Sequence, residues 1–167
     1  GLDTGLVHCD NTPGMILHPR AQFDMCRAGI GLYGLHPSDS TRSVIRLEPA
    51  MSVRGRVTRV VRPPVGAGVS YGMMYRVPKQ GVQIATVPIG YADGLLRAAK
   101  GLSVTVRTAH GERNAPIVGR ICMDQCMVSL EALADEAEEI QAGEEVVLIG
   151  QQSGSVITAD ELATKLG

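Results

Sequence analysis

Tryptophan is absent from this chain of 167 residues, phenylalanine occurs once, and aromatics make up only 3%. The interior must therefore be assembled from Val, Ile, Leu, Ala and Met, and Val and Ile, with Thr, favour strands. An excess of either charge is missing too, since 16 basic residues stand against 17 acidic ones. That balance provides no field for nucleic acid or anionic lipid and excludes those classes as leading ideas. No apolar run approaches the ~18 to 20 residues of a membrane span, and no charged leader precedes an apolar segment. The expectation is a soluble, intracellular protein of one domain, or of a domain with an appended piece.

Cysteine is also scarce. Cys9, Cys26, Cys122 and Cys126 are too few and too scattered for a disulfide scaffold, so free thiols are expected. Cys122 and Cys126 are four apart and on a strand would point the same way. Without a second Cys–Cys or Cys–His pair at ligand spacing, no metal site is expected.

Residues 1–40 read as a strand–helix–strand piece of an α/β unit. Short apolar runs at Leu6–Val7 and Ile30–Tyr33 flank a helix near residues 13–18, for which Thr12 is the expected N-cap and Pro13 the first helical residue. The small polar residues 38–44 read as a connection to a second region. From Met51 onward strands dominate. Val53, Gly55 and Val57 alternate with Arg54, Arg56 and Thr58, as on a half-buried strand, and Val60–Val61 breaks the alternation as a bulge would. Pro63–Pro64 ends that run. Further apolar runs lie at Val82–Ile89, Leu102–Val106, Ile117–Met123, Met127–Leu130 and Val146–Ile149, and this spacing predicts a barrel or sandwich. Two helices are expected: an exposed one over Glu131–Glu139, and one opened by the capping box Thr158–Glu161, with Leu162 and Leu166 on its apolar face.

Three short blocks rich in Gly, Tyr and Asp sit where apolar runs end: Val69-Ser70-Tyr71-Gly72, Ile89-Gly90-Tyr91-Ala92-Asp93-Gly94, and Gly119-Arg120-Ile121-Cys122-Met123-Asp124-Gln125. Any one of them could be turn punctuation; together they point to surface chemistry. Tyr71 is placed to present a hydroxyl to a cleft, though a phenol, with its ordinary pKa of about 10, needs cations or donors to serve as a base. The residues alone equally allow an interface or core tyrosine. Arg27 must find an acceptor or face solvent: His8 is a candidate neighbour, and Asp24 or Asp10 a candidate salt-bridge partner. Thr12 at a helix start, with Gly29 admitting close backbone approach, suits a phosphate.

These blocks, together with His8-Cys9-Asp10-Asn11-Thr12 and Arg27-Ala28-Gly29-Ile30 through Leu32-Tyr33-Gly34, resemble in order and approximate spacing the carboxy-terminal half of alanine racemases. The resemblance implies a mainly β fold, the β-barrel-like carboxy-terminal domain over residues 39–167, preceded over residues 1–38 by the last strand–helix–strand piece of a (β/α)8 barrel. It implies a pyridoxal-phosphate-dependent isomerase that interconverts L- and D-alanine for the bacterial cell wall, working in the cytoplasm as a homodimer. It implies a site between one subunit's barrel and the other's β domain. The lysine that carries the cofactor would lie upstream, and a last strand with its gate tyrosine would follow Gly167. The chain is thus expected to be a fragment, inactive alone.

Residue by residue, the resemblance makes Tyr71 the catalytic base supplied across the dimer, opposite the lysine, because racemisation needs a base on each face. Arg27 becomes the donor to the pyridine nitrogen, and since a guanidinium keeps its proton, the ring is a restrained electron sink. His8 would orient that arginine. Thr12, Gly29 and Ile30 would cradle the phosphate, the last two through backbone N–H. Met123 would offer its N–H to the substrate carboxylate, Tyr91 would stand at the neck of the access channel, and Arg97 and Arg120 would line it outside, drawing in an anion. Thr12 stands where serine is usual and Asp10 where a small residue is common; the four cysteines receive no role. Two alternatives stay open: a serine or broad-specificity racemase of the same architecture, and a non-catalytic β module for dimerisation or ligand binding.

Overall fold

The computed structural model of the chain describes residues 3–108, 111–133, 140–152 and 155–166. It falls into two units, Gly1–Met51 and Ser52–Gly167. In the first, hydrogen bonds to near neighbours prevail over strand pairing. Helix α1 spans Thr12–Leu17, and its N-cap is Asn11, whose side chain accepts the Gly14 N–H at 3.1 Å. The cap expected at Thr12 is therefore one residue earlier, which frees the Thr12 hydroxyl for another partner.

The flanking strands expected in this unit are not formed. Ile30–Tyr33 closes as a 3-10 turn, with Leu32 N–H donating to Gly29 O at 3.0 Å and Gly34 N–H to Gly31 O at 3.1 Å. Gly34 ends it at φ 74°, against the Glu48 carbonyl, where a Cβ could not fit. Leu6–Val7 is irregular and exposed, and among the described residues its hydrogen bonds run only from Val7 to the backbone and carboxylate of Asp24. A run of two apolar residues with no paired neighbour does not hold a strand. The polar stretch 38–44 contains a single helical turn, α2 (Asp39–Arg42), fixed by the buried Thr41 hydroxyl between the Ser38 carbonyl and His36 Nδ1.

The second unit is antiparallel β. Its strands are β1 (Val53–Arg56), β2 (Arg59–Val61), β3 (Gly68–Val69), β4 (Tyr75–Arg76), β5 (Ile84–Val87), β6 (Ser103–Thr108), β7 (Gly111–Val118), β8 (Cys126–Ser129), β9 (Glu145–Gln152) and β10 (Ser155–Ile157). The main sheet runs β1-β9-β6-β7-β8-β5-β2, with β10 on β9, while β3 and β4 form a separate hairpin. β1 and β2 follow one another along the chain yet lie at opposite ends of that order. Val57 N–H donates to Glu144 O and Thr58 N–H to Thr86 O, each at 2.9 Å, so the chain changes partner between them and the sheet curls round its core. This partner change, not a bulge, breaks the alternation before Val60–Val61; the register shift sits instead at Val53/Arg54.

Inside the curl, Val57, Val87, Val104, Val106, Ile117, Ile121, Val128, Leu130 and Val146 are among the aliphatic side chains of the main core. A smaller cluster of Val69, Val77, Val82, Ile84 and Val118 anchors the β3–β4 hairpin. β5 faces both cores, Ala85 and Val87 one way and Ile84 the other, which explains its unbroken apolar run. Burying each of these side chains contributes about 1.5–3 kcal/mol. The buried Gln83 amide exchanges two hydrogen bonds of 3.3 Å with the Ile140 backbone, so no amide group there is left to desolvate.

Helix α3 (Ala159–Leu166) opens as expected: Glu161 N–H donates to Thr158 Oγ1 at 3.0 Å, and Thr158 N–H donates to Glu161 Oε2 at 3.1 Å. Leu166 packs on the main core. Of the helix expected over Glu131–Glu139, Glu131–Leu133 is a 3-10 turn and the rest lies outside the described residues. Among the described residues no helix is long and apolar enough to cross a membrane.

Candidate active site

In the second unit, three loops leave buried strands and are stitched to one another. The first follows β3. Val69 is anchored in the smaller core, and the next residues turn sharply: Ser70 at φ 62°, Gly72 at φ 74° and Met73 at φ 50°. This geometry pushes Tyr71 outward, leaving the residue 67% exposed, and its hydroxyl has no hydrogen bond among the described residues.

The second loop follows β5. Gly90 N–H donates to Asp93 Oδ2 at 2.9 Å and Asp93 N–H returns to Gly90 O at 3.1 Å, closing a turn that Gly94 ends at φ 96°. Tyr91 stands half out of this turn, with the Arg97 guanidinium 5.0 Å from its ring centroid, a weak cation–π contact at such exposure. The third loop follows β7. Ile121 and Cys122 are buried, Met123 is 52% exposed, and Cys122 N–H donates to Gln125 O at 2.9 Å. The Met123 N–H has no partner among the described residues.

The stitching is specific. Tyr91 N–H donates to Cys122 O at 3.0 Å and Ala92 N–H to Met123 O at 2.9 Å. Gly90 is in extended backbone, so its conformation does not demand glycine, but a Cβ there would lie 2.2 Å from Met123 O and 2.4 Å from Cys122 O. Ser70 Oγ donates to Arg120 O at 2.5 Å and lies 3.5 Å from Cys122 Sγ. The Arg120 guanidinium carbon comes within 3.7 Å of where a Gly72 Cβ would be, next to Tyr71. Tyr71, Tyr91, Met123 and Arg120 are thus gathered on one connected set of loops.

Cys122 and Cys126 do not share a strand face: a turn separates them and both are buried. Burial, with Cys122 beside it, pushes the Cys126 thiol up from 9.0 to about 12. Among the described residues no three His, Cys, Asp or Glu side chains group to hold a metal.

In the first unit, buried Thr12 is the centre of a second constellation. Its Oγ1 accepts the Gly29 N–H at 2.8 Å and the Gly31 N–H at 3.4 Å, and a Cβ on Gly31 would lie 2.7 Å from Thr12 Cγ2. Gly29 N–H is therefore committed to Thr12, whereas the Ile30 N–H has no partner among the described residues. Arg27 is held by the Cys9 carbonyl, 3.3 Å from Nη2, and makes no ion pair among the described residues; Asp24 turns to the Val7 N–H instead. His8 is exposed and makes no hydrogen bond among the described residues. Asp10 is buried, and its Oδ2 has no partner among the described residues.

The family model for the alanine racemase C-terminal domain matches residues 50–167, and that for the alanine racemase N-terminal domain matches residues 1–37. The chain belongs to the alanine racemase family. It is 44% identical over its whole length to alanine racemase of Desulfovibrio desulfuricans and 39% identical to that of Methanococcus maripaludis, covering 42% and 43% of those proteins. Among solved structures, alanine racemase from Bacillus anthracis with bound L-Ala-P matches with TM-score 0.86 at 38% identity, over 100% of this chain and 41% of that one. The Streptomyces lavendulae enzyme matches with TM-score 0.77 at 34% identity. The chain thus spans about two fifths of the length of the alanine racemases it matches. Its curled antiparallel sheet is the alanine racemase C-terminal domain, and residues 1–37 match the N-terminal domain of the same family.

Two residues inside these motifs shape them through side-chain contacts that the motifs do not signal. Asp93 was seen only as turn punctuation, yet its carboxylate closes the Tyr91 turn. Ser70 was seen only as a small neighbour of Tyr71, yet its hydroxyl joins loops 50 residues apart.

Proposed function

We propose that the chain is the carboxy-terminal part of an alanine racemase that interconverts L- and D-alanine in the cytoplasm with pyridoxal phosphate. In this reading a lysine outside the chain carries the cofactor and acts as one base, and Tyr71 is the other, offered to the cofactor of a second subunit. Residues 1–38 belong to the cofactor-binding barrel and 39–167 to the β domain. The observation that carries the reading is an exposed Tyr71 phenol and a Met123 N–H, neither with a partner among the described residues, on loops bonded to each other. A base and a carboxylate donor held in one frame are what abstraction of a proton beside a carboxylate requires.

The residues of the first unit fit the cofactor. The Thr12 hydroxyl, whose oxygen accepts from Gly29 and Gly31, retains its own proton to donate, and the Ile30 N–H is available beside it, a donor set suited to a phosphate. Arg27 has guanidinium N–H groups beyond the one given to Cys9 and would donate to the ring nitrogen without protonating it. Bound there, pyridoxal phosphate would draw electron density from the substrate Cα–H bond. Tyr71 would take or return the Cα proton on its face, Met123 N–H would hold the carboxylate, and Tyr91, with Arg97 and Arg120 outside it, would line the approach. Tyr71, Met73, Met74, Leu96 and Met123 are all exposed on or beside these loops, and this much apolar surface around a polar site supports a partner subunit covering it.

The test is Tyr71→Phe in the full-length protein. Racemisation should fall about 10²- to 10⁴-fold, while Cα–H exchange with deuterated solvent persists for one alanine enantiomer and is lost for the other. Undiminished racemisation by Tyr71→Phe would refute the reading.

A further inference from the structure

We infer that Ser70 is a positioning residue of this site, its hydroxyl setting the Tyr71 phenol against the Met123 amide; the inference rests on the reading just proposed. Ser70 adopts φ 62°, ψ −176°, a conformation natural to glycine and strained for any residue with a Cβ. Glycine would satisfy the backbone better, so what serine adds is its side chain. That side chain donates to Arg120 O at 2.5 Å and contacts Cys122 Sγ at 3.5 Å. Among the described residues these are the only hydrogen bonds between the Tyr71 loop and the Met123 loop.

The two loops also touch through backbone. Gly119 sits at φ 69°, and a Cβ on it would lie 2.8 Å from Ser70 Cβ and 2.9 Å from Val69 O. Contact alone excludes overlap but does not prevent sliding. A hydrogen bond at the residue before Tyr71, ending three residues before Met123, fixes the register of base against carboxylate donor. The far side of the Met123 loop is already pinned by the Tyr91 and Ala92 N–H groups. Without the Ser70 hydroxyl, no hydrogen bond among the described residues ties the Tyr71 loop to the Met123 loop.

Ser70→Gly separates positioning from stability, because it removes the hydroxyl while relieving the backbone; Ser70→Ala removes the hydroxyl and keeps the strain. In the full-length protein, Ser70→Gly should melt at or above the parent's Tm, and Ser70→Ala below it. Both should lose about 10- to 100-fold in kcat with a raised KM. The loss of Cα–H exchange should fall on the same alanine enantiomer that Tyr71→Phe affects. Parental kcat and KM in Ser70→Gly, beside a dead Tyr71→Phe, would overturn this inference and leave the proposed function standing. Loss of activity only in proportion to the unfolded fraction, or equally for both enantiomers, would overturn it too. An active Tyr71→Phe would bring down the proposed function first and this inference with it.

Discussion

Gly90→Ala tests whether the three loops are truly packed backbone to backbone. The added methyl would lie 2.2 Å from Met123 O, 2.4 Å from Cys122 O and 2.5 Å from Met123 C. All three are main-chain atoms, so no side chain can swing aside. The Tyr91 and Met123 loops must part, breaking the hydrogen bonds from Tyr91 N–H to Cys122 O and from Ala92 N–H to Met123 O. Each bond is worth about 1 kcal/mol net, and a carbonyl left unpaired at the poorly accessible Cys122 costs about 1–3 more. The usual gain of Gly→Ala through the unfolded state offsets roughly 0.4–1 kcal/mol. The expected loss is about 3 kcal/mol, on the order of 10 °C in Tm for a domain of this size. Gly94 supplies the contrast: it has open space around it but φ 96°, so Gly94→Ala should cost only about 1 kcal/mol, and Gly94→Asn less. Urea titrations followed by far-UV circular dichroism give the comparison. A Gly90→Ala midpoint equal to the parent's, or a Gly94→Ala worse than Gly90→Ala, would refute the packing argument.

The cysteines make a second prediction. Cys126, with its thiol pushed up from 9.0 to about 12 by burial and by Cys122, should resist alkylation at pH 8, whereas exposed Cys9 reacts; peptide mapping before and after unfolding reads the order. The folded state holds the Cys126 proton more tightly than the unfolded chain does. Its contribution to stability is therefore complete below pH 9.0 and lost as pH climbs toward about 12, which urea midpoints across that window measure. Thr158→Ala removes the acceptor for Glu161 N–H at the start of α3 and should cost about 1 kcal/mol, seen as faster amide exchange in the first turn of the helix.

Much of the fold was legible because local rules and tertiary packing agree there. The capping box at Thr158–Glu161 formed as written, and Val53 to Val57 alternates because one face meets the core. The misses lie where a distant partner decides. β3 and β4 are two residues each and exist only through their mutual pairing over the smaller core. The first half of β7, Gly-Glu-Arg-Asn-Ala, carries no apolar alternation, yet it pairs residue for residue with β6; Pro116 is tolerated because β8 pairs only Ile117 and Val118. Ile30–Tyr33 reads as a strand by composition but closes on itself, with Gly34 pressed against Glu48. At the candidate site, Tyr71, Tyr91 and Met123 stood out by motif, while Ser70 did not, because its significance lies in a positive φ and in a carbonyl 50 residues away.

The arrangement also explains why strain can sit beside an exposed tyrosine. Ser70 and Met73 both hold positive φ, each costing about 1–3 kcal/mol, and a free loop would relax them. Val69 on one side is fixed in the smaller core, and Tyr75 on the other donates or accepts a 2.9 Å bond with the buried Ser129 hydroxyl. Between these anchors the loop is too short to unwind without breaking one of them. Strain is therefore confined to the five residues between these anchors, and within them the Ser70 hydroxyl sets the phenol at position 71 against the Met123 loop.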